Sequence, residues 1–298
     1  DWAELDSNGR ELSPNGGYWL SPANPAARDY LARLYAELAG KYDVDGIHLD
    51  YIRYETEQKA SYGFSPTSTC LFGKQYGLDP ANVRPGTLDQ LFWIKFRERQ
   101  VNTFVQRIAI QTRSIRPRAV ISAAVGQYPP EARVQLLQNW PNWAANKWVD
   151  LLVPMSYETD DARFGRLTSR QREAVDSCAL LAEGIGVFVQ KDPAQTVAQI
   201  GISRQMGAFG QVLFAASYMG QSQFAALKCG PYARAAALPF RNSSRACEAL
   251  FSKARHCATA GDAELAAYYE CAAKSLAAYE EYRSRKTPYV VPTLPELP

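Results

Sequence analysis

The sequence predicts an α/β protein: a (β/α)8-type barrel that lacks its first three βα units, followed by a C-terminal helical hairpin. Three observations lead to that expectation. Short, nearly continuous apolar runs alternate with helical segments up to about residue 240, the pattern of a parallel sheet covered on both faces. Five such runs can be counted, and a closed barrel of this class needs eight, which puts three βα units ahead of Asp1. The runs end in polar residues, as at a barrel rim, and no Gly-x-Gly-x-x-Gly turn accompanies them. An open doubly wound sheet, which needs no missing strands, is the alternative.

The elements follow in order. Asn24-Pro25 starts a helix as cap and first-turn proline, Leu31, Leu34 and Leu38 supply its apolar face, and Gly40 ends it. In the first strand Ile47, Leu49 and Tyr51 alternate with His48 and Asp50. A polar loop from about Glu55 to Pro85 leads to a long helix through Phe92, Phe96, Val101, Phe104 and Ile108. Ala119 to Val125 is the second strand, ending in Gly126-Gln127-Tyr128, and Asp150 to Tyr157 is the third, with helical sequence following through Ala174 and Cys178. Gly184 to Val189 is the fourth strand. Asp192-Pro193 caps a helix ending near Gly207, and Gly210 to Ala216 is the fifth strand. Residues 1–240 thus form the partial barrel and 241–286 an antiparallel helical hairpin turning near Gly261. Residues 287–298, with four prolines, form an extended tail.

Composition narrows the function. Of 298 residues 47% are hydrophobic and 21% charged, and the net charge is only +3. This is a globular composition without the basic stripe of a nucleic-acid binder. No run of eighteen apolar residues exists, so no membrane-spanning segment is expected. The 17 Tyr, 12 Phe and 6 Trp would suit a cleft that stacks sugar rings. Two histidines and six cysteines without Cys-x-x-Cys spacing make a metal site unexpected, and no cofactor is expected. Cys247, Cys257 and Cys271 crowd the hairpin. A turn near Gly261 places Cys247 and Cys271 at similar heights, so a Cys247–Cys271 disulfide is expected, closing a loop of about twenty-five residues. Such a bridge points to an oxidising compartment; free thiols packed as small apolar groups are the alternative.

Four segments resemble one family: YWLSPANPAARDYL (Tyr18–Leu31), YDVDGIHLDYIRY (Tyr42–Tyr54), NWPNWAANKWVDLLVPMSYE (Asn139–Glu158) and GAFGQVLFAASYM (Gly207–Met219). Together they resemble the glycosyl-hydrolase-like family 10 of bacterial envelope proteins, from about Asp1 to Met219. The resemblance implies a barrel that begins here after its third strand. It also implies cleavage of glycosidic bonds, with bacterial cell-wall glycan the leading substrate, and a periplasmic or secreted location. It aligns the family's strand-four Asp with Asp50. A more distant similarity to chitinase-type glycosidases matches their Met-x-Tyr-acid motif to Met155-Ser156-Tyr157-Glu158. Ile52 stands where their strand-four glutamate would be, which departs from the chitinase mechanism.

Glycoside hydrolysis uses two carboxyl groups flanking the bond. A carboxylate on a buried strand is costly unless partnered or used, and Asp50 lies at a strand's C-terminal end, where barrel enzymes keep their chemistry. Asp50 is therefore the expected nucleophile or base and Glu158 the expected acid. The alternatives are a structural ion pair of Asp50 with Arg53 and a helix-capping Glu158. Glu55, Glu57, Glu131 and Asp160 are substitutes for the acid, and Asp161 lies close behind. Expected substrate-binding groups are Trp19, His48, Arg53, Tyr54, Gln127, Tyr157, Gln190 and Tyr218. Trp19 is the stacking residue, and Trp143 and Trp148 pack beneath the barrel. The competing functions are a non-catalytic glycan-binding barrel and an envelope protein that binds a protein partner through the hairpin.

Overall fold

In the computed structural model the described residues are 2–11, 16–56, 61–176, 178–190, 192–234, 236, 240 and 243–284. The expected tail and Glu57 lie outside them. The described residues divide into two units: those within 2–121 and 130–139, and those within 122–129 and 140–284.

In the first unit, helix α1 (Pro25–Lys41) starts where the Asn24 side chain accepts the Ala26 and Ala27 amides at 2.9 and 3.2 Å. Its buried face is Ala27, Ala32, Ala36 and Ala39, whereas Leu34 and Leu38 are exposed, which reverses the expected face. Alanines let α1 lie close against the long helix α3 (Leu88–Ile115); a Cβ on Gly40 would come within 3.3 Å of Ile115. The polar stretch between them is not all loop. It contains α2 (Pro66–Tyr76), capped by Ser65 and stopped by Gly77 at φ 67°. Phe72 of α2 packs against Trp93 and Phe96 of α3 at centroid distances of 4.9 and 5.5 Å. Strand β1 (Gly46–Leu49) buries Ile47 and Leu49. The Val120 amide donates to the Asp45 carbonyl at 3.0 Å, so β2 (Val120–Val125) starts beside β1.

In the second unit, β2, β3 (Leu151–Pro154), β4 (Leu180–Gly186) and β5 (Gly210–Phe214) pair parallel in chain order. Their C-terminal ends therefore share one edge of this unit. β4 runs earlier than the sequence suggests. Helix α6 (Asp161–Val175) ends at Asp176, whose φ of 43° turns the chain left-handed and frees Leu180 to start the strand. Gly184 and Gly186 close the strand instead of opening it. A Cβ on Gly184 would meet the Pro154 carbonyl at 2.5 Å. Helix α7 (Pro193–Gln205) follows its Asp192 cap as expected, and Phe164, Ile185, Ile200 and Leu227 form an apolar cluster.

Also in this unit, α9 (Ser243–Thr259) and α10 (Ala263–Ser284) pack through Leu250, Tyr269 and Leu276, with Gly261 at φ 83° between them. The six cysteines are free thiols, which corrects the expected bridge. Cys247 sits in the interface, its Sγ 3.6 Å from the Ala273 carbonyl, while Cys271 is exposed. The heights match, but two residues of helix turn roughly 200°, which carries Cys271 to the opposite face. Among the described residues no helix is long and apolar enough to cross a membrane.

Candidate functional site

In the first unit the residues of interest gather where β1 ends. Asp50 and His48 occupy the uncovered face of the strand and are exposed, not buried as expected, because the core takes only the face of Ile47 and Leu49. Asp50 accepts the Tyr51 amide at 2.7 Å. Neighbouring protein lowers the His48 pKa, against the opposing charge of Asp50. Tyr51 has φ 55° and is 63% exposed. That left-handed residue, uncommon for a bulky side chain, breaks the strand's alternation and turns the ring out to solvent.

Arg53 is enclosed rather than a solvated rim residue. Its guanidinium lies 5.4 Å from the Trp19 ring centroid and 5.1 Å from that of Tyr51, in cation–π range. Its Nη1 donates to Thr56 at 3.1 Å and stands 4.0 Å from Glu55 Oε1. Burial lowers its pKa, countered by the charges of Glu55, Tyr51 and Asp50. The Trp19 Nε1–H donates to Glu55 Oε2 at 3.0 Å, so buried Glu55 organises this corner and is no free acid. Trp19, Tyr51, Arg53 and Glu55 line a cleft of about 420 Å³. Tyr54, expected on the rim, is buried instead; its backbone follows the turn at Tyr51 back into the core. Glu131 is exposed on α4 (Pro129–Gln135).

In the second unit the strand ends carry a carboxylate beside aromatic rings. Glu158, whose side chain is 15% exposed, accepts the Gln127 side-chain amide at 3.0 Å and pairs with Arg163 Nε at 3.0 Å, both at Oε1. Among the described residues no hydrogen bond engages its Oε2. Glu158 does not cap α6; Asp160 does, accepting the Arg163 amide at 2.8 Å, and that bond lowers the Asp160 pKa. Asp161 accepts from Gln199 at 3.1 Å.

Beside Glu158, Tyr157 stacks on Phe214 at 5.8 Å and meets Phe188 edge-on at 5.3 Å. Tyr218 lies 5.6 Å from Phe188 and 6.3 Å from Phe214. Phe188 and Phe214 are each 46% exposed and Tyr218 59%, so the four rings form a wall open to solvent. Gly186 makes room for it, since a Cβ there would meet Tyr157 at 2.9 Å.

Gln190 is less available than expected: its amide donates to Gln199 at 2.6 Å and accepts from Thr196. Trp140 and Trp143 are fully buried in this unit and Trp148 is half-buried. The structure thus brings together Gln127, Tyr157, Glu158 and Tyr218 in one unit and Trp19 and Arg53 in the other. Sequence reasoning missed Tyr51, Phe188 and Phe214, the last two because strand runs read as core. It also missed Glu183, which is fully buried on β4. Burial pushes the Glu183 pKa up to about 8, with Ser156 opposing.

The family model described as glycosyl hydrolase-like 10 matches residues 11–186. Among solved structures, the catalytic domain of a β-amylase from Paenibacillus polymyxa is similar, with a TM-score of 0.55 at 10% identity over 79% of this chain and 74% of that one. That likeness is one of fold. A search of curated proteins finds no match. With more than half of its length matched by the family model, the chain belongs to the glycosyl hydrolase-like 10 family.

Proposed function

We propose that the protein is a glycoside hydrolase acting on a polysaccharide, with bacterial cell-wall glycan the first candidate. The observation that supports this most is Glu158, anchored through one oxygen and set beside an exposed aromatic wall at the C-terminal ends of parallel strands. Aromatic faces accept the apolar C–H faces of sugar rings, and the strand ends are where α/β enzymes of this class react.

In this proposal Glu158 is the general acid. Gln127 and Arg163 hold Oε1, which leaves Oε2 to carry the proton to the departing glycosidic oxygen. Asp50 is assigned as nucleophile or base, on its exposure at the end of β1 and its place in the family motif. Trp19, Arg53, Tyr157 and Tyr218 are assigned to sugar contacts. A cell-wall substrate would place the protein in the envelope, periplasmic or secreted.

The test is release of new reducing ends from peptidoglycan sacculi, chitin, a β-glucan and starch. We expect release from at least one polymer, lost in Glu158→Gln and Asp50→Asn. Tight binding without release from any of them would overturn the hydrolase reading in favour of a glycan-binding barrel.

A further inference from the structure

Behind the loop that carries Glu158 lies a set of buried amides that the proposed chemistry does not use. Ser156, Gln171, Glu183 and Gln199 are all fully buried in the second unit. Gln171, on α6, donates its Nε2 to the Gln127 carbonyl at 2.6 Å and to Ser156 Oγ at 2.9 Å. A backbone carbonyl only accepts, so this contact fixes which way the Gln171 amide is turned. Gln199, on α7, donates its Nε2 to the Glu158 carbonyl at 2.9 Å and takes the Gln190 amide on its Oε1 at 2.6 Å. Two helices therefore reach the same loop. One holds the residue that donates to the Glu158 carboxylate; the other holds the Glu158 backbone.

Buried side-chain amides cost stability unless satisfied, and this network leaves a group unsatisfied. Gln171 Oε1 has no hydrogen-bond partner, and Glu183 adds a buried carboxyl beside Ser156. A core built for stability alone would be expected to place apolar side chains here. Amides aimed at the backbone of a reactive loop suit fixed geometry instead.

We propose that Gln171 and Gln199 are positioning residues for Glu158, Gln171 acting through Gln127 and Gln199 through the Glu158 backbone. The proposal rests on the reading of Glu158 as general acid, but its geometric core can be tested without substrate.

The experiment follows the Gln127 side-chain amide by NMR in the full ¹⁵N-labelled chain. Its signals are assigned by their loss in Gln127→Met, and Glu158→Ala marks their position once the carboxylate acceptor is gone. In Gln171→Met and in Gln199→Met, with cooperative thermal unfolding retained, the Gln127 signals should move to the Glu158→Ala position. Signals that stay at the wild-type position in either folded variant overturn the proposal for that glutamine. Loss of cooperative unfolding in both variants overturns it altogether, because the network would then serve folding only. On a polymer that the wild type cleaves, each variant should lose on the order of 10- to 100-fold in kcat with little change in KM. Absence of cleavage by the wild type would overturn the hydrolase reading and leave the NMR result standing.

Discussion

Gln127 and Glu158 sit just past a paired strand end, Val125 opposite Pro154, and the Gln127 side-chain amide reaches Glu158 Oε1 at 3.0 Å. The register of β2 against β3 thus sets the orientation of the proposed acid. Replacing Gln127 with Ala removes this donor and leaves the half-exposed Arg163 as the remaining partner of Oε1. We expect hydrolysis to fall about tenfold or more, with the melting temperature nearly unchanged. Wild-type rates in Gln127→Ala, measured as reducing ends released, would remove Gln127 from the site.

The aromatic wall gives a second prediction. Phe188 and Phe214 are each 46% exposed, so Phe188→Ala and Phe214→Ala should cost little stability, about 1 kcal/mol or less. If the rings stack on sugars, the double variant should bind insoluble polysaccharide roughly tenfold more weakly, at about 0.5–1.5 kcal/mol for each ring. Depletion isotherms measure this. Unchanged binding with intact folding would mean that the wall faces something other than glycan.

Glu183 makes stability depend on pH in a definite direction. Its folded pKa of about 8 lies above the ordinary 4.5 because burial penalises the charged form. The folded state therefore holds a proton that the unfolded chain releases at lower pH. Stability from this group is fully present below about pH 4.5 and is lost as pH rises through about 8, at up to roughly 1.4 kcal/mol per pH unit within that window. Glu183→Gln, neutral throughout, should flatten that slope and be the more stable form above pH 8. Parallel melting curves of the two proteins from pH 5 to 9 would contradict the assignment of a buried neutral acid.

Gly46 tests the packing of the first unit. A Cβ there would stand 2.3 Å from the Val120 carbonyl oxygen, which is backbone and cannot swing away. Gly46→Ala should force β1 and the start of β2 apart and lower stability by about 2 kcal/mol or more, seen as a fall in melting temperature. A variant as stable as the wild type would show that the two backbones lie farther apart.

Much of this fold was legible because its signals are local. The Asn24-Pro25 and Asp192-Pro193 caps, the Gly261 turn and the apolar runs of β2, β3 and β5 sit where the residues predict. Helix α2 was hidden by Ser68, Thr69 and Cys70, which read as loop, although Ser65-Pro66 and Gly77 are the same start and stop signals seen elsewhere. The early start of β4 was hidden because Glu183 interrupts its apolar run. At the site, Gln127, Tyr157 and Glu158 were legible as polar ends of strands. Tyr51 was not, because a φ of 55° overrides the strand's alternation and sends Tyr54 inward. The Gln171–Gln127 contact joins residues 44 apart, and spacing alone carries no trace of such a pair.

In the proposed reaction water cleaves a glycosidic bond at a site that uses Glu158. The most direct measurement is mass spectrometry of soluble products formed from peptidoglycan, chitin, β-glucan and starch in H₂¹⁸O. The wild type should yield oligosaccharides carrying one ¹⁸O for each bond cut, and Glu158→Gln should yield fewer by roughly 10³-fold or more while remaining folded. Labelled products at equal rates from both proteins would remove Glu158 from the reaction, and labelled products from neither would overturn the hydrolase reading.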